Sequence, residues 1–124
     1  MKQENIKFKA KKLNSCEWVE GDLVHIGNRV CIGGDHLKDG ITDVYPSTVC
    51  QFTGLKDCKG NEIWEGDMIK NPHLGNVAIV EWDDSLCGFK CVDDTGRINY
   101  SLRAIVESSG WSFIVNKFDR RSSV

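Results

Sequence analysis

The sequence predicts a mostly β fold: small SH3-like or partly open β-barrel units with hairpins and little helix. Three observations predict it. Short runs place apolar residues at alternate positions, as in strands with one buried face. Gly, Asn and Asp punctuate those runs at turn spacing. No helical apolar pattern persists for more than about two turns. At 124 residues the chain is expected to be one β-rich domain over 1–124, long enough for one core. Within it, strand units at about 18–32 and 63–118 open on a related turn.

Ile6, Phe8 and Ala10 alternate with Lys7 and Lys9, which reads as a half-buried strand. Residues 23–26 and 29–32 flank Gly27-Asn28, a two-residue hairpin signal. Residues 33–43, with adjacent glycines and three aspartates, read as a loop. Residues 44–53 are expected to be extended in part, interrupted at Pro46, with a single turn over 47–52. Residues 57–61 form a turn, and Ile63-Trp64 resumes a strand. The near-continuous apolar run 77–82 is the best core strand. Residues 89–92 pair with 97–102 across 93–96, although 101–107 also suits a short helix, and 111–118 is the last strand.

Trp18-Val19-Glu20-Gly21-Asp22-Leu23-Val24 recurs 45 residues later as Ile63-Trp64-Glu65-Gly66-Asp67-Met68-Ile69. Turn chemistry explains the shared Glu-Gly-Asp: Gly supplies unusual backbone angles and Asp bonds back to nearby backbone. A catalytic carboxylate pair, Glu65 with Asp67, is the sharper alternative.

Sixteen Lys and Arg against eighteen Asp and Glu give a net charge of −2. That disfavours coating of duplex DNA, whose affinity comes from phosphate neutralisation. Basic clusters at Lys7, Lys9, Lys11 and Lys12, and at Lys117, Arg120 and Arg121, read as solvated ends. The polar N-terminus lacks an apolar signal core and no apolar run approaches a membrane span, so a cytoplasmic protein is expected, with no membrane partner. Six cysteines answer no zinc spacing; the one close pair is Cys87-x3-Cys91, side chains that a strand would turn to one face. Buried free thiols, no metal and no cofactor are expected.

No nucleophile motif or phosphate-binding glycine loop is present, so the chain is not expected to be an enzyme. The most informative stretch is 97–103. If extended, it projects Arg97, Asn99, Ser101 and Arg103 to one face and Ile98, Tyr100 and Leu102 to the other. Two guanidinium forks, an amide and a hydroxyl are groups a nucleotide-like ligand needs, though a solvent-facing strand shows the same pattern. Trp82 ends its strand where a stacking surface or a core contact is possible. Phe113 shares a face with Trp111 and suits the core, a subunit contact or the ligand. The expected ligand-binding set is therefore Arg103, Asn99, Arg97, Ser101, Trp82 and Phe113.

The block Pro46-Ser47-Thr48-Val49-Cys50-Gln51-Phe52-Thr53-Gly54-Leu55-Lys56-Asp57, followed by Lys59-Gly60-Asn61-Glu62-Ile63-Trp64-Glu65-Gly66-Asp67-Met68-Ile69, resembles the signature of phage YopX-like proteins. Cys50 stands where that family usually has Gly, and Lys59-Gly60 replaces Asn-Gly. Residues 6–10, 20–23, 80–83 and 88–89 match in order, so the resemblance covers about 6–92. It implies a phage or prophage origin and a β-rich fold.

In length and arrangement the chain is also similar to the first family of phage Thoeris anti-defence proteins, the cyclic ADP-ribose sponges. That resemblance implies binding of a glycocyclic ADP-ribose, made by a bacterial TIR-domain immune enzyme, and its sequestration uncleaved. It further implies homo-oligomers with pockets between subunits, and cyclic oligonucleotides at separate sites in some members. Two other readings stand beside it: a phage protein-interaction or DNA-replication accessory module, and a hydrolase using Glu81 with Asp83, which alternation puts on one face.

Overall fold

The computed structural model describes residues 2–93, 95–96, 98–107 and 110–119. These form eleven strands, one α-helix and two 3-10 turns, arranged as two antiparallel sheets, neither closed into a barrel. The chain divides into two compact units, Met1–Phe52 and Thr53–Val124, each holding one Glu-Gly-Asp copy.

In the first unit, β1 (Phe8–Lys11) lies between β2 (Trp18–Ile26) and the front of β5 (Cys50–Lys56). β3 (Arg29–Gly33) pairs with β2 through the expected hairpin, Ile26 opposite Arg29. The core is Ala10, Val19, Ile32 and Val44, with Phe8, Leu23 and Val30 packed on it. The segment expected to be all loop, 33–43, ends instead in the edge strand β4 (Ile41–Asp43). The Arg29 guanidinium fork holds it there: Nε and Nη2 donate to the two Asp43 carboxylate oxygens at 2.9 and 3.1 Å. Lys7, Lys9 and Lys11 are half-buried rather than solvated, with Lys9 and Lys11 ammonium groups 4.6 and 5.3 Å from the Trp18 ring centre. Arg120 and Arg121 lie outside the described residues.

The first Glu-Gly-Asp copy is not a turn, because residues 20–22 run inside β2. Gly21 serves close approach: a Cβ there would sit 2.3 Å from the Gly33 carbonyl oxygen and 3.0 Å from Ile32 Cγ2. The Gly33 carbonyl is backbone of a paired strand and cannot retreat without breaking the ladder. Gly21→Ala is expected to cost about 2 kcal/mol, read as a lower urea midpoint at unchanged slope. A midpoint equal to wild type would show that the strand yields freely.

The second unit contains the rear of β5, β6 (Glu62–Trp64) and a five-stranded sheet. That sheet runs β10-β9-β8-β7-β11: Asn99–Ser101, Gly88–Val92, Val77–Asp83, Asp67–Lys70 and Ser112–Asn116. The apolar run 77–82 is its central strand, as its composition predicts. Ile69, Ala78, Val80 and Cys91 point to one face, where Leu102 and Ile105 of α1 (Leu102–Glu107) complete the core. The extended reading of 97–103 therefore fails at Leu102. Leu102, Ile105 and Val106 have helical spacing, and the Ser101 hydroxyl accepts the Ala104 N–H at 3.3 Å as an N-cap. The helix turns Leu102 into the core and Arg103 to solvent.

All six cysteines are free thiols, but only Cys31, Cys50 and Cys91 are buried; Cys16, Cys58 and Cys87 are exposed. Cys87 occupies the β8–β9 turn with φ 49°, so it does not share a strand face with Cys91. Burial pushes the Cys91 thiol up to about 12, which leaves it inert. Among the described residues, no helix is long and apolar enough to cross a membrane.

Candidate functional site

Strand register builds a second face on the five-stranded sheet, opposite the one that α1 covers. Met68 lies across from Ile79, Ile79 from Val92, and Lys70 from Val77, so these side chains share that face. Continuing outward, Asn99 lies across from Val92, and Ser101 from Lys90, which itself faces Glu81. Met68, Val77, Ile79 and Val92 are only half-buried there, unlike the core residues beside them. A cavity of about 750 Å³ opens over them. Its floor is Met68, Val77, Ile79 and Val92, and its polar rim carries Asn76, Glu81, Asp93, Thr95 and Lys117.

The rim groups differ in how far they are already engaged. Asp93 accepts the Thr95 hydroxyl at 2.8 Å and the Ile98 N–H at 3.2 Å. Lys90 could pair with Glu81 directly across the ladder, but its ammonium lies 3.0 Å from Asp83 Oδ2 instead. Asp83 also accepts the Ser85 hydroxyl at 2.6 Å and the Ser85 and Leu86 N–H groups. The Ser85 hydrogen bond, followed by Lys90, holds its carboxyl well below the usual range. Asp83 is thus the anchor of the β8–β9 turn, fixed as a carboxylate and unsuited to moving protons. The Glu81 side chain keeps no hydrogen-bond or ion-pair partner among the described residues.

The structure does not gather the sequence-predicted ligand set into one place. Asn99 sits on the cavity face, one strand out from Val92. Ser101 follows it, but its hydroxyl caps α1. Arg103 is on α1, its side chain 71% exposed and 3.6 Å from Glu107 in an i,i+4 pair. Trp82 lies across from Phe89 on the opposite face, 43% exposed; its indole N–H donates to Asp84 at 2.6 Å, and its ring meets Phe89 edge-on at 5.2 Å. Phe113, 37% exposed, lies across from Ile69 in the edge strand β11, while its neighbour Trp111 is buried in the core. Arg97 lies outside the described residues.

Sequence reasoning missed the floor of the cavity. Glu81 stood out in the sequence only as half of a carboxylate pair, and Val92 and Ile79 become neighbours only through register. The length of the β8–β9 turn was the available signal, since Asp83 opposite Gly88 fixes every pair behind it.

The second Glu-Gly-Asp is structural. Gly66 holds φ 86°, its N–H donating to the Val80 carbonyl at 2.8 Å, and its carbonyl accepting the Lys117 N–H at 2.9 Å. Fully buried Asp67 accepts the Trp64 N–H at 2.7 Å and Asn116 Nδ2 at 3.0 Å. Asn116, equally buried, accepts the Phe118 N–H at 3.0 Å. Thr53 donates its hydroxyl to the Ile63 carbonyl at 2.6 Å. No group of three or more His, Cys, Asp or Glu able to hold a metal occurs among the described residues. A family model described as YopX protein matches residues 2–119. Among curated proteins no match is found.

Proposed function

The chain belongs to the YopX protein family, a phage family, and we propose that this member is a non-enzymatic binding protein that sequesters a cyclic ADP-ribose-type immune signal, glycocyclic ADP-ribose, and so inhibits Thoeris defence. The observation that carries the reading is the cavity of about 750 Å³ on the second face of the five-stranded sheet. Its volume falls within the range of about 300–1,000 Å³ typical of ligand pockets. Its apolar floor suits an adenine face, and its rim offers carboxylates and an amide to sugar hydroxyls and Lys117 to a pyrophosphate. The engaged state of Asp83 and the structural use of Asp67 support sequestration over hydrolysis. In this reading the protein is a cytoplasmic homo-oligomer whose pockets lie between copies, neighbours supplying the guanidinium groups absent from the described lining of one copy. Cyclic oligonucleotides are a second ligand class to test.

Thermal unfolding with cyclic ADP-ribose isomers tests the proposal. A ligand at 100 times its dissociation constant adds about 2.7 kcal/mol, an increase of several degrees. The expected result is such a rise with one isomer, which is then recovered chemically intact after denaturation. No rise with any isomer, or recovery of a cleaved product, overturns it. One observation favours a second reading: the described rim carries two carboxylates against one ammonium, which suits a basic side chain of a protein partner. Reproducible capture of one host protein from infected cells, without ligand stabilisation, would select the accessory-module reading.

A further inference from the structure

We infer that Glu81 is the group that selects the sugar of the bound ligand, by accepting hydrogen bonds from the vicinal hydroxyls of a ribose. The inference rests on the nucleotide-binding reading above and adds the recognition chemistry. A carboxylate has two acceptor oxygens in one plane, matched to two adjacent hydroxyl donors, and a carboxylate holds the ribose hydroxyl in the doubly wound dinucleotide-binding fold.

Three observations single out Glu81. It lines the cavity directly beside the apolar floor that would take the base. The cation across the ladder, Lys90, is drawn away to Asp83 at 3.0 Å, so the Glu81 oxygens keep their acceptor capacity. Among the described residues, the other two carboxylates on that face are already accepting: Asp83 from Ser85, Leu86 and Lys90, and Asp93 from Thr95 and Ile98. Asp83 also takes up the charge of Lys90. That pairing turns a symmetric-looking row of acids into one anchor and one acceptor.

An isomer closed by a glycosidic bond from the distal ribose still carries that ribose's vicinal hydroxyls, so it retains the feature Glu81 reads. A ligand whose diol has been cut presents two separated hydroxyls and loses the paired geometry. The carboxylate acts by position, with no proton transferred and no bond made or broken.

Calorimetric titration of four combinations tests this: wild type and Glu81→Gln, each with glycocyclic ADP-ribose and with the same molecule after periodate cleavage and borohydride reduction of its diol. Glu81 is exposed, so the variant's unfolding midpoint is expected to match wild type and serves as the folding control. Cutting the diol is expected to weaken wild-type binding by about tenfold to a hundredfold, the worth of hydrogen bonds to a charged group. Glu81→Gln is expected to lose a similar factor on the intact ligand and little more on the cut one, so the losses do not add. Equal losses in both proteins, or an unchanged affinity of Glu81→Gln for the intact ligand, overturn the inference while the binding reading survives. No binding of glycocyclic ADP-ribose by wild type overturns the binding reading itself, and this inference falls with it.

Discussion

Asp67→Ala is expected to be the most damaging single substitution in the second unit, at about 4 kcal/mol and about 15 °C in melting temperature. Asp67 and Asn116 are both fully buried, and the aspartate accepts from the Trp64 N–H and from Asn116 Nδ2. Removing the carboxylate takes an acceptor from two buried donors, each such loss costing about 1–3 kcal/mol, and opens a cavity beside them. Asp67→Asn does not rescue fully, because its amide nitrogen turns a donor toward another donor. The Asp67→Ala, Asn116→Ala pair should cost clearly less than the sum of the single changes, since each single variant already loses the one bond the two side chains share. Urea unfolding of the four proteins measures this, and strict additivity would refute the pairing.

Asp57→Asn is expected to lower stability at neutral pH by about 2 kcal/mol and to flatten its decline in acid. Asp57, only 6% exposed, accepts the N–H groups of Lys59, Asn61 and Phe113, and Asn61 Nδ2, at 2.8 to 3.1 Å. The bond from Phe113 ties the 57–61 turn to edge strand β11, 56 residues away. Burial raises the carboxyl's pKa, and the hydrogen bonds, led by that from Phe113, outweigh it and leave it below the ordinary value. A depressed folded-state value means the stabilisation is present above the unfolded pKa of about 3.9. It is lost as pH falls through the folded value. Unfolding free energies at pH 7, 5 and 3 should therefore converge between wild type and Asp57→Asn at the acid end. Asp43 and Asp83, held low chiefly by hydrogen bonds from Arg29 and Ser85 respectively, keep some acid dependence in both. Parallel curves would remove Asp57 as a source of acid lability.

How much was legible depended on whether a residue's role was local. The run 77–82 announced a buried strand because its apolar continuity needs no partner to be recognised. The turn at Gly66 was legible because glycine at positive φ followed by a backbone-bonding aspartate is local chemistry. The same tripeptide at 20–22 was misread: Gly21 is required by Gly33, on a neighbouring strand that the sequence does not place. The alternation through 97–103 looked like a strand until the three-residue spacing of Leu102 and Ile105, with Ser101 before them, is weighed as a cap and a helical stripe. Tertiary burial of those two side chains decides between the periods. The cavity floor was the least legible part, since Met68, Ile79 and Val92 come from three strands and meet only through register.

The Glu81 side chain makes no hydrogen bond or ion pair among the described residues, whereas Asp57 and Asp67 hold backbone and side-chain donors in place. Change at Glu81 can therefore proceed without crossing the stability threshold that limits most mutations. Under the binding reading proposed above, a lineage built on this scaffold can exchange one ligand for another while its turn residues stay put. Kinship through those turn residues then testifies to shared architecture, and on that reading two relatives that look alike there are expected to part company in what they bind.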